Sequence, residues 1–213
     1  YTELKNQKYG QSFYSGNQSL KDKGFDLKIQ ISEEKNILPS LAIGLRDIAG
    51  TGLFSSEYFV ASKRFGNLDL TSGIGWGILG SADNFSNPLI NIHESFKSRN
   101  DKEGLGGQFT IKNWFSGKTA IFGGLEYDLK KYGLRFKLEY DTTRPYQNNV
   151  IDYKPKTDFN LGLTFHPYEW LTLGSALERG DQFRLSFTLK GDFLKDTIGK
   201  PKPKRVVKLN REQ

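Results

Sequence analysis

Leu134-Arg135-Phe136-Lys137-Leu138-Glu139-Tyr140 alternates apolar and polar side chains without a break. Successive side chains of a strand point to opposite faces, so Leu134, Phe136, Leu138 and Tyr140 share one face while Arg135, Lys137 and Glu139 share the other. One face suits an apolar medium and the other suits water. The stretch reads as a piece of wall between two media.

The same period of two recurs along the chain. Phe25, Leu27, Ile29 and Ile31 oppose Asp26, Lys28 and Gln30; Leu41, Ile43 and Leu45 oppose Ala42, Gly44 and Arg46; Leu68, Leu70, Ile74 and Trp76 oppose Asp69, Thr71, Gly73 and Gly75. Further on, Ile121, Leu125 and Tyr127 flank Glu126, Phe159, Leu161, Leu163 and Phe165 oppose Asn160, Thr164 and His166, and Phe183, Leu185, Phe187 and Leu189 oppose Arg184, Ser186, Thr188 and Lys190. No stretch of similar length carries an apolar helical stripe, so the chain is all-β. The pattern predicts ten strands, at 24–33, 38–47, 56–65, 67–76, 107–115, 119–128, 133–141, 158–166, 170–179 and 182–191. Turn chemistry at Glu34-Lys35-Asn36, Gly66-Asn67, Ser116-Gly117-Lys118 and Gly180-Asp181 predicts antiparallel, up-and-down neighbours. Two connections are long, 77–106 and 142–157. The first is polar and charged, and is expected to be exposed and mobile, with early proteolysis at Lys97, Arg99 or Lys102.

Composition fits one layer better than a thick core. Only 36% of the 213 residues are hydrophobic, yet 14% are aromatic; globular chains hold roughly 45–50% apolar residues with glycine included. No run is long and apolar enough for a membrane-spanning helix, but a tilted barrel strand crosses in about 9–11 residues. Aromatic residues near predicted strand ends, among them Tyr58, Phe59, Trp76, Trp114, Phe115, Tyr140, Tyr168 and Trp170, suit the two interfacial girdles of a barrel. The expected fold is therefore an antiparallel up-and-down outer-membrane-type β-barrel of about ten strands, or a partial barrel or open curved sheet. A soluble β-sandwich with aromatics in its core is the competing reading. Residues 1–22 form a polar N-terminal segment with at most one strand, 23–193 the barrel-like domain, and 194–213 a basic Pro/Lys tail or linker. The chain opens at Tyr1 with no basic-then-apolar leader, which reads as a processed or truncated chain.

Candidate chemistry is sparse. There is no cysteine, which removes disulfides, zinc–thiolate sites and thiol nucleophiles. His166 beside Ser175 or Ser186 is the best hydrolase constellation, and nothing in the sequence fixes its geometry; His93 sits in the long connection. Gly73-x-Gly75-x-Gly77 lies in a strand pattern that leads into no helix, unlike a nucleotide-binding loop. The net charge of +7 is dispersed except at Lys200-Pro201-Lys202-Pro203-Lys204-Arg205, so nucleic acid is not an expected partner. The water-facing set Arg46, Arg135, Lys137, Glu139, Glu178, Arg184 and Lys190 holds five positive and two negative charges. That is a mildly cationic lining suited to an acidic glycan. Arg46 next to Asp47 reads first as an internal ion pair. No cofactor or metal is expected.

Leu38-Pro39-Ser40-Leu41-Ala42-Ile43-Gly44-Leu45-Arg46-Asp47, followed by Gly50-Thr51-Gly52-Leu53-Phe54-Ser55-Ser56-Glu57-Tyr58, resembles the YjbH family of exopolysaccharide-production proteins. Ordered matches continue through Ala61-Ser62-Lys63-Arg64-Phe65-Gly66, Gly73-Ile74-Gly75-Trp76-Gly77, Phe122-Gly123-Gly124-Leu125-Glu126-Tyr127 and Leu177-Glu178-Arg179-Gly180. The resemblance implies a non-enzymatic protein of the bacterial outer membrane that assists secretion of exopolysaccharide or capsule. Its implied partners are outer-membrane lipid, an acidic polysaccharide and other polysaccharide-export proteins. A soluble periplasmic, glycan-binding β-scaffold of the same machinery is the alternative. Family members are usually longer, which leaves barrel closure open.

Overall fold

The computed structural model describes residues 2–8, 13, 16–50, 52, 54–99, 111–144 and 154–191. Its strands are β1 (Thr2–Lys8), β2 (Ser19–Asp22), β3 (Phe25–Ser32), β4 (Ser40–Ile48), β5 (Ser56–Phe65), β6 (Leu68–Trp76), β7 (Thr119–Leu129), β8 (Leu134–Tyr140), β9 (Phe159–Tyr168), β10 (Leu171–Glu178) and β11 (Gln182–Leu189). The first two pair only with each other, so the N-terminal segment holds two strands where at most one was expected. The other nine form one antiparallel sheet in chain order, β3 to β11, with no crossover. The sheet is all-β and up-and-down as expected, and among the described residues it is open, the alternative reading, rather than a closed barrel of ten strands.

Nine of the ten predicted strands are present within a residue or two of their expected ends. The missing one is 107–115, of which 107–110 lie outside the described residues. Ile111–Asn113 is a single 3-10 turn, and Phe115 follows it at φ 59°, in the left-handed region foreign to regular strand backbone. The carbonyls of Asn113 and Phe115 are taken by the side chains of Arg99 (3.1 Å) and Asn87 (3.1 Å). Side-chain donors have replaced the ladder.

Removing that strand sorts the connections. Because neighbours alternate in direction, 33–39, 66–67, 130–133 and 169–170 all lie at one end of the sheet, and 49–55, 77–118, 141–158 and 179–181 at the other. Both long connections share the second end. Short turns at one rim and long loops at the other is the asymmetry of outer-membrane barrels. At the short-turn end three of the four turns also hand a carbonyl to the next strand over or its end: Asn67 O accepts from Asp128 N (2.8 Å), Gly133 O from His166 N (2.7 Å) and Trp170 O from Lys190 N (2.8 Å).

The strands are also staggered. One row of register partners runs Lys63, Leu70, Leu125, Leu138, Leu161, Leu177, Phe183. It crosses β5 beside the short-turn end and β11 beside the long-connection end. The drift is about five residues over the six steps, which at ~3.4 Å rise and ~4.8 Å spacing inclines the strands by roughly 30°. Barrel closure asks for about 35–45°. The sheet carries most of that shear without being closed.

Candidate functional site: two faces and one anchored end

The register puts all the apolar stripes on the same side. Leu27 faces Leu45, Ile29 faces Ile43, Leu125 faces Leu138, Tyr127 faces Phe136 and Leu173 faces Phe187. Among the described residues nothing covers most of this surface: Leu161 is 54% exposed, Phe183 70% and Phe187 77%. The only buried apolar residues among those described are Ala42, Trp76, Ile78 and Ala120. Monomeric soluble proteins rarely leave contiguous apolar patches beyond a few hundred Å², and this one spans nine strands. Tyr168 stacks on Trp170 (5.3 Å) at the short-turn end, while Tyr140 meets Phe159 (5.1 Å) at the other. Aromatics thus flank an aliphatic middle.

The opposite face carries crossed charges. Arg64 on β5 bonds Asp69 on β6 through Nε (2.9 Å). Arg135 on β8 reaches Asp128 (2.5 Å) and Glu126 (3.3 Å) on β7, and Lys137 reaches Glu126 (2.8 Å). Asn160 Nδ2 donates to Glu139 (3.1 Å), and Arg184 pairs with Glu178 (2.9 Å). Each contact joins neighbouring strands, as opposite charges on one face should. Arg46, Arg135, Lys137, Glu139, Glu178 and Arg184 all occupy polar-face positions. Lys190 follows the end of β11 and is exposed.

Two expectations about this face change. The same alternation also puts Asp69, Glu126 and Asp128 on the polar face, opposite Arg64, Lys137 and Arg135. With them, Lys28, Arg46, Arg64, Arg135, Lys137 and Arg184 meet Asp26, Asp69, Glu126, Asp128, Glu139 and Glu178. The strands are charge-balanced, not cationic. Nor does Arg46 pair with Asp47: Asp47 turns away at φ 55°, its carboxylate accepts from Phe54 N (3.3 Å) and its own N donates to Asp26 (3.0 Å). Among the described residues Arg46 makes no ion pair.

The long connection is largely exposed over 83–98, as expected, but it is built rather than featureless. Between 77 and 99 it forms short 3-10 turns, Gly77–Gly80, Pro88–Asn91 and Glu94–Lys97. Asn87 is buried and ties them down, donating from Nδ2 to the carbonyls of Phe96 (3.0 Å), Phe115 (3.1 Å) and Gly117 (3.3 Å) while Leu89 N donates to its Oδ1 (3.1 Å). Arg99 folds back as a fork on Glu57 of β5, at 2.8 and 3.1 Å, and also reaches Ser55 Oγ (2.8 Å). Phe115 N donates to the same carboxylate (2.9 Å), which is only 2% exposed. Trp76, Phe59 and Phe115 pack edge and face within 5.2–5.8 Å of one another. Of the expected cleavage sites, Arg99 is thus held in an ion pair and only 13% exposed, Lys97 is exposed, and Lys102 lies outside the described residues. Gly77 makes the sharp entry, at φ 63° and with room for no Cβ beside Ser56 Cα (3.0 Å).

Apart from Ser56 Oγ and Trp76 Nε1, which have no partner among the described residues, buried polar groups at this end are tied to one another. Thr142 Oγ1 donates to Leu79 O (2.9 Å), Arg144 N to Ser81 Oγ (2.7 Å), and Arg144 pairs with Asp158 (2.8 Å). Arg179 bonds Asp141 O (2.8 Å), the Asp141 carboxylate and Thr143 O (3.0 Å) beside a shallow notch of about 200 Å³ that Asn160, Glu178 and Gln182 also line. At the short-turn end the Lys63 ammonium (3.1 Å) and the Arg64 N–H (3.2 Å) hold the Glu34 carboxyl below the ordinary carboxylate range.

The candidate acid–base residues do not converge. His166 Nδ1 meets Thr172 Oγ1 (3.0 Å), and no hydrogen bond joins it to Ser175 or Ser186 among the described residues. Ser175 lies on the apolar face, opposite Leu163 and Leu185, whereas Ser186 faces Gly174. His93 caps its own turn by accepting from Ser95 N (3.1 Å). Gly73 and Gly75 stay within β6, where an added Cβ at Gly73 would come within 2.7 Å of Phe59 O.

An open antiparallel sheet one layer thick, apolar on one side and charge-laddered on the other, defines a β-wall protein. Its whole length, residues 1–213, matches the family described as exopolysaccharide biosynthesis protein YbjH, and the chain belongs to that family. It is 38% identical over 194 residues to the uncharacterized lipoprotein YjbH of Escherichia coli (strain K12). The aligned part is 91% of this chain but 28% of that protein. No solved structure matches.

Proposed function

We propose that this chain is part of the wall of an outer-membrane β-barrel that helps exopolysaccharide or capsule reach the cell surface and performs no chemistry on it. The reading rests above all on the nine-strand apolar face, which would meet lipid, backed by a charged face that would meet water and polymer. Family membership supports the link to exopolysaccharide. The description of the E. coli relative as a lipoprotein agrees with a membrane-associated location. Its partners would be outer-membrane lipid, an acidic polymer and other export proteins. A charge-balanced lining suits transit, because a conduit must hold its cargo weakly enough to release it. Arg46, Arg135, Lys137, Glu139, Glu178, Arg184 and Lys190 would be the groups met by the polymer.

Lipid contact is tested by folding the full-length protein into vesicles. Phe136 lies opposite Tyr127, towards the short-turn end, whereas Leu138 lies opposite Leu125 in the middle of β7. Leu138→Arg should cost about 2–4 kcal/mol at the midplane, and Lys137→Gln under ~1 kcal/mol because its ion pair is half-exposed. Equal costs, or a full-length protein stable without detergent, would favour the soluble glycan-binding scaffold.

Transport is tested in a strain whose surface polysaccharide depends on the full-length protein. Neutralising Arg135, Lys137 and Arg184 together leaves Asp128, Glu126 and Glu178 unmatched and turns the face anionic. Surface polymer should fall at equal levels of folded protein, and His166→Gln should leave it near normal. The reverse result would argue for catalysis.

A further inference from the structure

Strands β3 and β11 bound the sheet, and each leaves one side of its backbone unpaired. Every pairing from β3 to β11 is antiparallel and in chain order. The two edge strands therefore run in the same direction. If they met, the seam would be parallel. Closed single-chain barrels of the bacterial outer membrane carry an even number of strands and no such seam.

The β11 edge is also unprotected. Natural sheets blunt a free edge with proline, bulges, inward charges or very short strands. β11 pairs with β10 over eight consecutive positions without a bulge and contains no proline. Phe183, Leu185, Phe187 and Leu189 continue the apolar stripe to the last strand and are 65–77% exposed. These are the features of an interior strand. β3 carries the same stripe with Phe25, Leu27, Ile29 and Ile31, and the β1–β2 hairpin does not pair with it, although its register with β4 shifts between Phe25 and Leu27 and between Gln30 and Ser32.

We propose that in the intact protein an odd number of further strands, supplied by the same polypeptide, lies between β11 and β3, the first of them paired antiparallel to β11. An odd number restores antiparallel pairing at both edges. The same polypeptide is favoured over a second copy because every strand of the sheet takes its sequence neighbours as its spatial neighbours, and because this chain aligns to only 28% of its longer relative. The shear already present in β3–β11 continues through the added strands towards closure. The inference stands whether lipid or protein covers the apolar face, since an unpaired edge is equally open in either case.

Amide hydrogen exchange on the full-length protein, in detergent and with the monomer isolated by native mass, tests it. Amides of Phe183–Leu189 should be protected to within about tenfold of those in β7, which is paired on both sides. Exchange about a hundredfold faster than β7 would show a free edge and overturn the proposal. Protection confined to a dimeric fraction would assign the edge to a second copy and overturn it as well. These 213 residues hold no cysteine, so in a full-length background with any other cysteine replaced, Ile29→Cys with Leu185→Cys gives an independent readout. A disulfide between them in the monomer would mean direct closure, and its absence beside a protected β11 is the expected result.

Discussion

Trp76 at the end of β6 and Leu185 in the middle of β11 occupy the same face of the same sheet, yet they live in different surroundings. Trp76 is 1% exposed, wedged against Phe59 and Phe115, and the connection that follows it is held by Asn87 and by the Glu57–Arg99 fork. Leu185 is 73% exposed, with Ser175 as its only register partner. A strand ladder alone gives a sheet; what makes one corner rigid is a connection that returns to fill the gaps above it. Where none returns, the apolar stripe is left to its medium.

The sharpest way to break this contrast is truncation at both positions. Trp76→Ala removes a ring from fixed neighbours that collapse only in part, so about 3–5 kcal/mol should be lost. Leu185→Ala should cost about 1–2 kcal/mol in lipid, because fluid chains refill the space and only the transfer contribution disappears. The indole Nε1 has no partner among the described residues, so Trp76→Phe should keep most of the stability. Urea titration of the full-length protein in vesicles measures all three. Equal losses at 76 and 185 would mean that the two regions are packed alike.

Most of the sheet was legible because one rule, period two, fixes a strand, its faces and its rough ends together. Thr119–Leu129 and Gln182–Leu189 needed nothing more. The same rule held a warning that went unused: Glu57 has the parity of Phe59 and Ala61, an acid at an apolar position, which calls for a buried partner. Its partner, Arg99, lies far along the chain inside a polar stretch that reads as solvated, and no local pattern joins the two. The false strand at 107–115 fails for a related reason. Phe115 adopts a left-handed backbone because its N–H and carbonyl are claimed by Glu57 and Asn87, a tertiary demand that propensity does not register. Openness could be offered only as an alternative to closure, since it depends on what meets the edges of β3 and β11.

Charge pairs give the finer probe of the same contrast. Glu57 and Glu178 both bond an arginine at close range, 2.8 and 2.9 Å. The Glu57 pair is almost fully withdrawn from water, with side chains 2% and 13% exposed, while Arg184 opposite Glu178 is 67% exposed. Removing one partner of a buried pair strands the other charge, and about 3 kcal/mol is the expected loss for Glu57→Ala. For Glu178→Ala it should stay below ~1 kcal/mol, since water already screens Arg184. Glu57→Ala also releases Arg99 and the Phe115 N–H, so proteolysis at Lys97 and Arg99 should become early, as a free connection would show. Glu178→Ala should leave that cleavage pattern unchanged. If instead Glu57→Ala proved as mild as Glu178→Ala and the connection stayed resistant, then the rings of Trp76, Phe59 and Phe115 rather than the ion pair would be what anchors this end.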